Sequence, residues 1–310
     1  SLAEVSALYP EANAQVHRIG PLSFIDISWP KDSEHVSHTY SAEDQELKAL
    51  SMSLMRLSFV QAVFQPVSST QPQTLRCLET SARFKLPKEL VWGSKYRGKT
   101  NELVTQLGIN LAIHYGEINH SSTPSLLDPM AGRGTTLLWA ARYGLNATGI
   151  EIDKRALEHF QRDTKRQTKL HKLKHKVQRG SIGQGKRSPQ FLEFKWPESS
   201  SKLIQGDSRQ IDTLTRGQRF HYLVSDLPYG VQFGGEERRN PFGLIAQCAP
   251  AWTNALRSGG VMVLLFNSIQ PKYHELRELL ASLGLKHIPF SAPHRLSESI
   301  RRDLIIMRKD

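Results

Sequence analysis

From Pro124 to the C-terminus, short apolar runs alternate with longer amphipathic or polar stretches. Such alternation is the pattern of strands joined by crossover helices in a mainly parallel sheet. Strands are predicted over residues 125–129, 147–152, 202–206, 221–226, 260–266, 285–290 and 303–308, which together fit one doubly wound α/β domain. The connection from Asp153 to about Ser201 is far longer than the roughly dozen residues a crossover needs. It is therefore predicted to hold a helix plus an insertion at about residues 160–200.

Upstream the pattern is less regular. Residues 41–63 read as a helix, with Ser41 and Asp44 at capping-box spacing and Leu47, Leu50, Leu54 and Leu57 on one face. The alternation around Ser51 and Ser53 leaves a strand open there. QPVSSTQPQ at 65–73 reads as a loop or linker, and NHSSTPS at 119–125 as the lead into the first sheet strand. Between them, Leu103, Leu107 and Leu111 recur four apart and predict a helix over 100–113. The expected division is a small N-terminal module at 1–94, a candidate RNA-binding element, followed by a catalytic domain at 95–310.

Composition excludes several classes. Hydrophobic residues at 39% and charged residues at 23% are ordinary globular usage, against wholesale disorder or a coiled coil. The longest apolar run, Val261 to Phe266, is far below the about 18 residues that span a bilayer, so no membrane segment is expected. SLAEVSALYP has no basic segment followed by an apolar core, so no secretory signal is expected. Cys77 and Cys248 cannot build a disulfide framework or a multi-cysteine zinc site. A cytoplasmic, reducing compartment follows as the expectation. His171 and His175 could share a helix face, but within a run of lysines they read as a solvated pair, and no metal is expected.

The charge is uneven. The chain carries 41 Lys and Arg against 29 Asp and Glu. Between Lys154 and Arg187 there are 12 basic and 2 acidic residues. Such a surface suits a polyanion, because neutralising phosphates releases condensed counterions; a solvated helix face or charged insertion is the plainer alternative. Phe160 is the sole aromatic in that window, so backbone contact is favoured over base stacking.

The chemistry concentrates at predicted strand ends. LLDPMAGRGTT at 126–136 is a strand ending in Asp128, a turn bearing Gly132 and Gly134, and a helix start near Thr135. Glycines let a backbone turn tightly and approach a ligand closely, while a helix start offers free amides. The spacing departs from G-x-G-x-x-G, and no G-x-x-x-x-G-K-[ST] occurs, so pyrophosphate cradles fit badly. Glu151 ends the second strand, where a carboxylate can accept hydrogen bonds from ribose hydroxyls; Asp153 reads as the cap of the next helix. Asp207 ends the third strand and could meet an adenine amino group or serve as a turn or cap residue.

The fourth strand runs into Asp226-Leu227-Pro228-Tyr229-Gly230. A nucleobase amine is a poor nucleophile because its lone pair is delocalised into the ring. The Asp226 carboxylate and the Leu227 carbonyl can both accept from such an NH2, orienting nitrogen and offsetting the charge that develops as it attacks. Tyr229 can stack on the base. A Pro-Tyr turn that merely closes a strand is the structural alternative.

Together these residues resemble the class I S-adenosylmethionine-dependent methyltransferases of the amino-methylating type, over roughly Tyr96 to Asp310. They look most like the tRNA guanine-N2 methyltransferases associated with THUMP domains, through Lys95-Tyr96-Arg97-Gly98-Lys99-Thr100, Asp128 to Gly134, and Asp226 to Gly230. The resemblance implies a Rossmann-like fold with a seven-stranded, mostly parallel sheet and helices on both faces. It also implies S-adenosyl-L-methionine as cofactor and methyl transfer to guanine N2 in tRNA, a tRNA-processing and RNA-binding activity. Donor binding then falls on Asp128, Gly132, Gly134, Glu151 and Asp207, and base holding on Asp226, Pro228 and Tyr229. No THUMP pattern is recognisable before Lys95, and the family pattern does not require the long basic insertion.

Two rivals stand beside this reading. A DNA adenine-N6 or cytosine-N4 methyltransferase uses a similar motif, but Val231 to Asp310 leaves little room for a sequence-reading domain. A non-catalytic nucleic-acid-binding subunit on the same fold is disfavoured by the intact Asp226, Pro228, Tyr229 and glycine turn.

Overall fold

The computed structural model describes residues 2–19, 22–29, 40–66, 75–79, 82–94, 99, 101–117, 123–185, 187–228, 241–290, 293–295 and 300–310. The chain forms two compact units, 1–83 and 84–310.

The first unit contains α1 (Leu2–Leu8), the antiparallel pair β1 (Asn13–Ile19) and β2 (Leu22–Ser28), α2 (Tyr40–Leu54), and the antiparallel pair β3 (Val63–Pro66) and β4 (Leu75–Glu79). The helix expected over 41–63 ends at Leu54, where the chain turns so that Leu57 joins Val5 and Leu54 in a small core. Glu4 is buried and accepts from the Ser58 amide and hydroxyl, which ties α1 to that turn. Most of the segment read as a linker lies outside the described residues.

In the second unit, α3 (Glu89–Trp92) and α4 (Glu102–Tyr115) precede a repeating strand–helix series. This runs β5 (Ser125–Asp128), α5 (Thr135–Arg142), β6 (Asn146–Glu151), α6 (Ala156–Leu170), β7 (Lys176–Ser181), β8 (Gln190–Lys195), β9 (Ser200–Gln205), α7 (Ile211–Leu214) and β10 (Phe220–Asp226). It closes with α8 (Pro241–Ala255), β11 (Leu256–Asn267), α9 (Tyr273–Ser282), β12 (Leu285–Ile288), β13 (His294–Arg295) and β14 (Arg301–Lys309). The sheet order is β12-β14-β11-β10-β5-β6-β9-β8-β7, with β13 on β14. All seven expected strands are present. The central five, from β11 to β9, are parallel; β14 enters antiparallel.

Three strands of this sheet were not expected. The basic insertion is α6 followed by a β7–β8 hairpin that extends the sheet antiparallel from β9. Apolar burial holds it there: Phe194 packs edge-on to Phe160 of α6 and stacks with Trp196, whose indole donates to Ser201 Oγ. The third is the two-residue β13.

Ser125–Asp128 is buried throughout, as is Phe220–Ser225, which is what helices on both faces of a parallel sheet impose. One face, carrying Leu127, Ile150, Ile204 and Leu223, packs on α7, α8 and α9 around Trp252. The other meets α4, α5 and α6. On that face a Cβ at Gly108 would stand 3.1 Å from Val224, so α4 buries Thr105, Gly108, Ile109 and Ala112 as well as Leu111, and leaves Leu103 45% exposed. The expected Leu103–Leu107–Leu111 stripe is thus not the buried face.

Residues 84–94 belong to the second unit rather than to a module ending at 94. Buried Arg142 explains this: its guanidinium lies 4.1 Å from the Phe84 ring and 4.4 Å from Trp139, and its Nε donates to the Leu86 carbonyl. Trp92 meets Trp139 at 4.9 Å. Burial lowers the Arg142 pKa to about 10. Among the described residues no helix is long and apolar enough to cross a membrane.

Candidate active site

The sheet reverses its winding at β5: β6 follows on one side and β10 lies on the other. In open α/β sheets the crevice outside the carboxyl ends of strands at such a point is the ligand site. Asp128, Glu151 and Asp226 end β5, β6 and β10, and Asp207 follows the end of β9, so all four acids share this edge.

Asp128 organises the turn. Its Oδ1 accepts from the Met130 amide at 3.1 Å and from Ser225 Oγ at 2.7 Å. Complete burial pushes its pKa up to about 6, against these hydrogen bonds and with a further push from the Asp226 charge. The chain then turns through Gly132 at φ +52° and Gly134 at φ +80° into α5.

The two glycines serve different ends. A Cβ on Gly132 would meet nothing within 4 Å, so the turn exposes bare backbone to open space beside Glu151. A Cβ on Gly134 would stand 2.7 Å from the Phe160 ring, so that glycine permits α5 to pack on α6. Gly134 was expected to hold the cofactor; the geometry gives it a packing cause.

Glu151 uses both oxygens: Oε2 accepts from the Gly132 amide at 2.8 Å and Oε1 from the Asp153 amide at 2.9 Å. It locks the glycine turn to the end of β6, and each oxygen keeps a further lone pair for a hydroxyl donor. Its carbonyl accepts from the Gly206 amide at 2.9 Å, joining β6 to the end of β9. Asp153 accepts from the Arg155 amide at 2.9 Å ahead of α6. Asp207 takes its cap alternative: it accepts from the Arg209 amide at 2.8 Å and pairs with the same guanidinium, which holds its pKa below the ordinary value.

Asp226 extends β10 beyond its pairing with β5 and is 12% exposed. Arg302 on β14, itself 11% exposed, brings Nη2 to 3.7 Å from its Oδ2. Sequence reasoning missed Arg302. It lies in a basic stretch with no motif, and only the sheet order brings it near Asp226. The next residue, Leu227, is buried and donates its amide to Leu265 O at 2.8 Å, anchoring the turn to β11. Pro228 follows half-buried; Tyr229, Lys95 to Gly98 and Thr100 lie outside the described residues. No group of three or more potential metal ligands occurs among the described residues, and His175 donates from Nδ1 to the Leu173 carbonyl while facing Phe194 and Trp196.

The model of the RMKL-like methyltransferase-domain family matches residues 118–272, half of the chain. This chain belongs to that family. As an RMKL-like methyltransferase it takes S-adenosylmethionine as methyl donor. The crevice fits that group on its own geometry: a side-chain-free turn at Gly132 facing open space, a carboxylate at Glu151 and the first-turn amides of α5.

Among solved structures, TrmN from Thermus thermophilus aligns with 69% of this chain and 50% of its own length at 16% identity and TM-score 0.43. The match therefore spans about half of that protein. A TehB-like SAM-dependent methyltransferase from Corynebacterium glutamicum aligns over 60% of this chain and 80% of its own at 16% identity and TM-score 0.37. An rRNA methylase from Streptococcus thermophilus aligns over 60% and 87% at 11% identity and TM-score 0.38. No curated protein matches the sequence.

Proposed function

We propose that this RMKL-like methyltransferase transfers the methyl group to an exocyclic base amine in RNA, with guanine N2 in tRNA as the target, as a cytoplasmic enzyme of tRNA processing. The observation that carries the reading is the place of Asp226: a nearly buried carboxylate ending the strand beside Asp128, followed at once by an anchored Leu-Pro turn.

In this reading Asp226 and the Leu227 carbonyl accept the two amine hydrogens and turn the nitrogen lone pair toward the donor crevice. Pro228 fixes the turn, and Tyr229 stacks on the base. The bound donor supplies a methyl carried on a positively charged sulfur, so the N–C bond forms as C–S breaks and a neutral thioether leaves. The nitrogen then sheds a proton, which Asp226 is placed to accept. Arg302 steadies the Asp226 carboxylate.

Charge supports an RNA partner held by the second unit. The first unit has six Lys and Arg against nine Asp and Glu, net −3, whereas the second has 35 against 20, net +15. On the basic segment Lys165, Arg166, Lys169, Lys172, Lys174 and Lys176 are exposed, and none pairs with an acid among the described residues. The grip is therefore assigned to Lys154–Arg187, and the acidic first unit is left without a phosphate-binding role.

Incubation with methyl-labelled donor and, in parallel, total tRNA, rRNA or duplex DNA tests this, each digested to nucleosides. Label in N2-methylguanosine from tRNA is expected. Label in DNA adenine or cytosine supports the rival enzyme, and label in none overturns the reading.

A further inference from the structure

The layer of α7, α8 and α9 stops at α7, so beyond β9 the same face of the sheet carries a cavity of about 510 Å³ instead of a helix. The strand register puts Thr148 of β6, Lys202 of β9 and Glu193 of β8 side by side, with Lys195 two residues further along β8. The segment after α7 walls the cavity with Arg216 and Gln218. Gln218 stands just before β10 begins, so the cavity runs toward the edge of the sheet opposite the one bearing Asp226.

Its lining is electrostatically unbalanced. Glu193 is the one acid among the lining residues, and it lies 3.8 Å from Lys195. Lys202 is half-buried over the Phe191 ring, with Nζ 4.3 Å from the centroid. The charges of Arg216 and Lys195 add to burial in lowering its pKa. Arg216 has no acid partner among the described residues, and it is held at φ +55°, a left-handed conformation that disfavours a side chain. A glycine would suit that turn better. A strained arginine without an acid partner, lining a cavity with three further cations, Arg179, Lys195 and Lys202, points to a ligand that supplies the missing negative charge.

We propose that this cavity, floored by Lys202 and Phe191 and rimmed by Lys195 and Arg216, binds phosphodiester groups of the RNA substrate. It adjoins the Lys154–Arg187 segment, whose residues 178–182 line one wall, and adds to it three cations from outside that segment, Lys195, Lys202 and Arg216; it is apart from the donor crevice. The inference rests on the RNA reading above. Because the anchor and Asp226 lie toward opposite edges of the sheet, it also demands a substrate long enough to reach both: a structured RNA rather than a nucleotide or short oligomer.

The test measures binding of unfractionated tRNA across a range of KCl concentrations for wild type, Arg216→Gly and the double variant Lys195→Gln with Arg216→Gly. Arg216→Gly relieves the left-handed strain, so it should melt no lower than wild type, yet bind tRNA more weakly. The double variant should lose about tenfold in affinity at low salt and flatten the slope of log K against log salt by about 1.5, with S-adenosylmethionine binding unchanged. Unchanged affinity and slope in both variants, or no tRNA binding by wild type, overturns the anchor. Should the double variant fail to fold, Arg216→Gly alone decides. If wild type binds tRNA through these residues but no RNA accepts label, the methyl-transfer reading fails while the anchor stands.

Discussion

Ser225 donates its hydroxyl hydrogen to Asp128 across 2.7 Å, pinning the end of β10 to the end of β5 at the point where the sheet reverses its winding. The bond holds together the two strand ends that carry the donor turn and the base-holding turn, inside a site where Asp128 is 2% exposed and within reach of the Asp226 charge.

That burial sets a pH dependence. The folded pKa of Asp128 is about 6 against an ordinary value of 3.8, so below about pH 4 both folded and unfolded chains hold the proton and stability is undiminished. Between about pH 4 and 6 the unfolded chain gives up a proton that the folded one keeps, and stability falls as pH rises, by about 3 kcal/mol in all. In Asp128→Asn the remaining amide oxygen can still accept from Met130 and Ser225, both of which use Oδ1. Urea unfolding from pH 4 to 7.5 should show the wild type losing stability relative to the variant across that window. Parallel curves would place the proton elsewhere.

The glycines divide the turn between binding and packing. Gly132→Ala adds a methyl group in open space at φ +52°, costing about 1 kcal/mol of backbone strain and projecting into the donor crevice. Its melting temperature should fall little while the donor dissociation constant rises about tenfold or more. Gly134→Ala drives a Cβ to 2.7 Å from Phe160 and should cost about 2–4 kcal/mol, read as a lower melting temperature. Equal effects of the two on calorimetric donor binding and on melting would erase the distinction.

Much of this was legible in the sequence. Strands β5, β10, β11 and β14 carry apolar runs buried on both faces, and that burial leaves a direct imprint on composition. The β7–β8 hairpin was not legible: β7 is KVQRGS, mostly exposed, and it becomes a strand only by pairing with β8, whose Leu192 and Phe194 are buried. The buried face of α4 was misread because Gly108 and Thr105 gain their burial from close approach to the sheet rather than from side-chain hydrophobicity. The strand-end acids stood out through their spacing, but the arginine that claims Asp207 and the one beside Asp226 did not. An ion pair follows from geometry, and Arg302 is brought in by a strand 76 residues downstream of Asp226.

Glu151 couples the donor turn to β6 through two backbone amides, one on each carboxylate oxygen. Glu151→Gln leaves one acceptor oxygen for two donors, so either Gly132 or Asp153 loses its partner and a charged acceptor becomes neutral. A hydrogen bond to a charged group contributes about 1.5–3 kcal/mol, so donor affinity measured by calorimetry should fall about 10- to 100-fold. Affinity within twofold of wild type would mean that the turn holds its shape without the carboxylate.

Asp226 should separate chemistry from donor binding. It ends a strand anchored on both sides, by Ser225 to Asp128 and by the Leu227 amide to Leu265, so Asp226→Asn should leave the crevice intact and donor affinity within about twofold. Asparagine presents one acceptor and a competing donor to the base amine and cannot take up the released proton, so kcat should fall about 10²- to 10³-fold. Arg302→Met, which removes the cation 3.7 Å away, should lower kcat by about tenfold without changing donor affinity, and Arg302→Lys should restore part of it. Single-turnover transfer to the labelled RNA, beside calorimetry with the donor, reads both effects. Parallel loss of donor binding and transfer in Asp226→Asn would show that this carboxylate builds the donor crevice instead of holding the base.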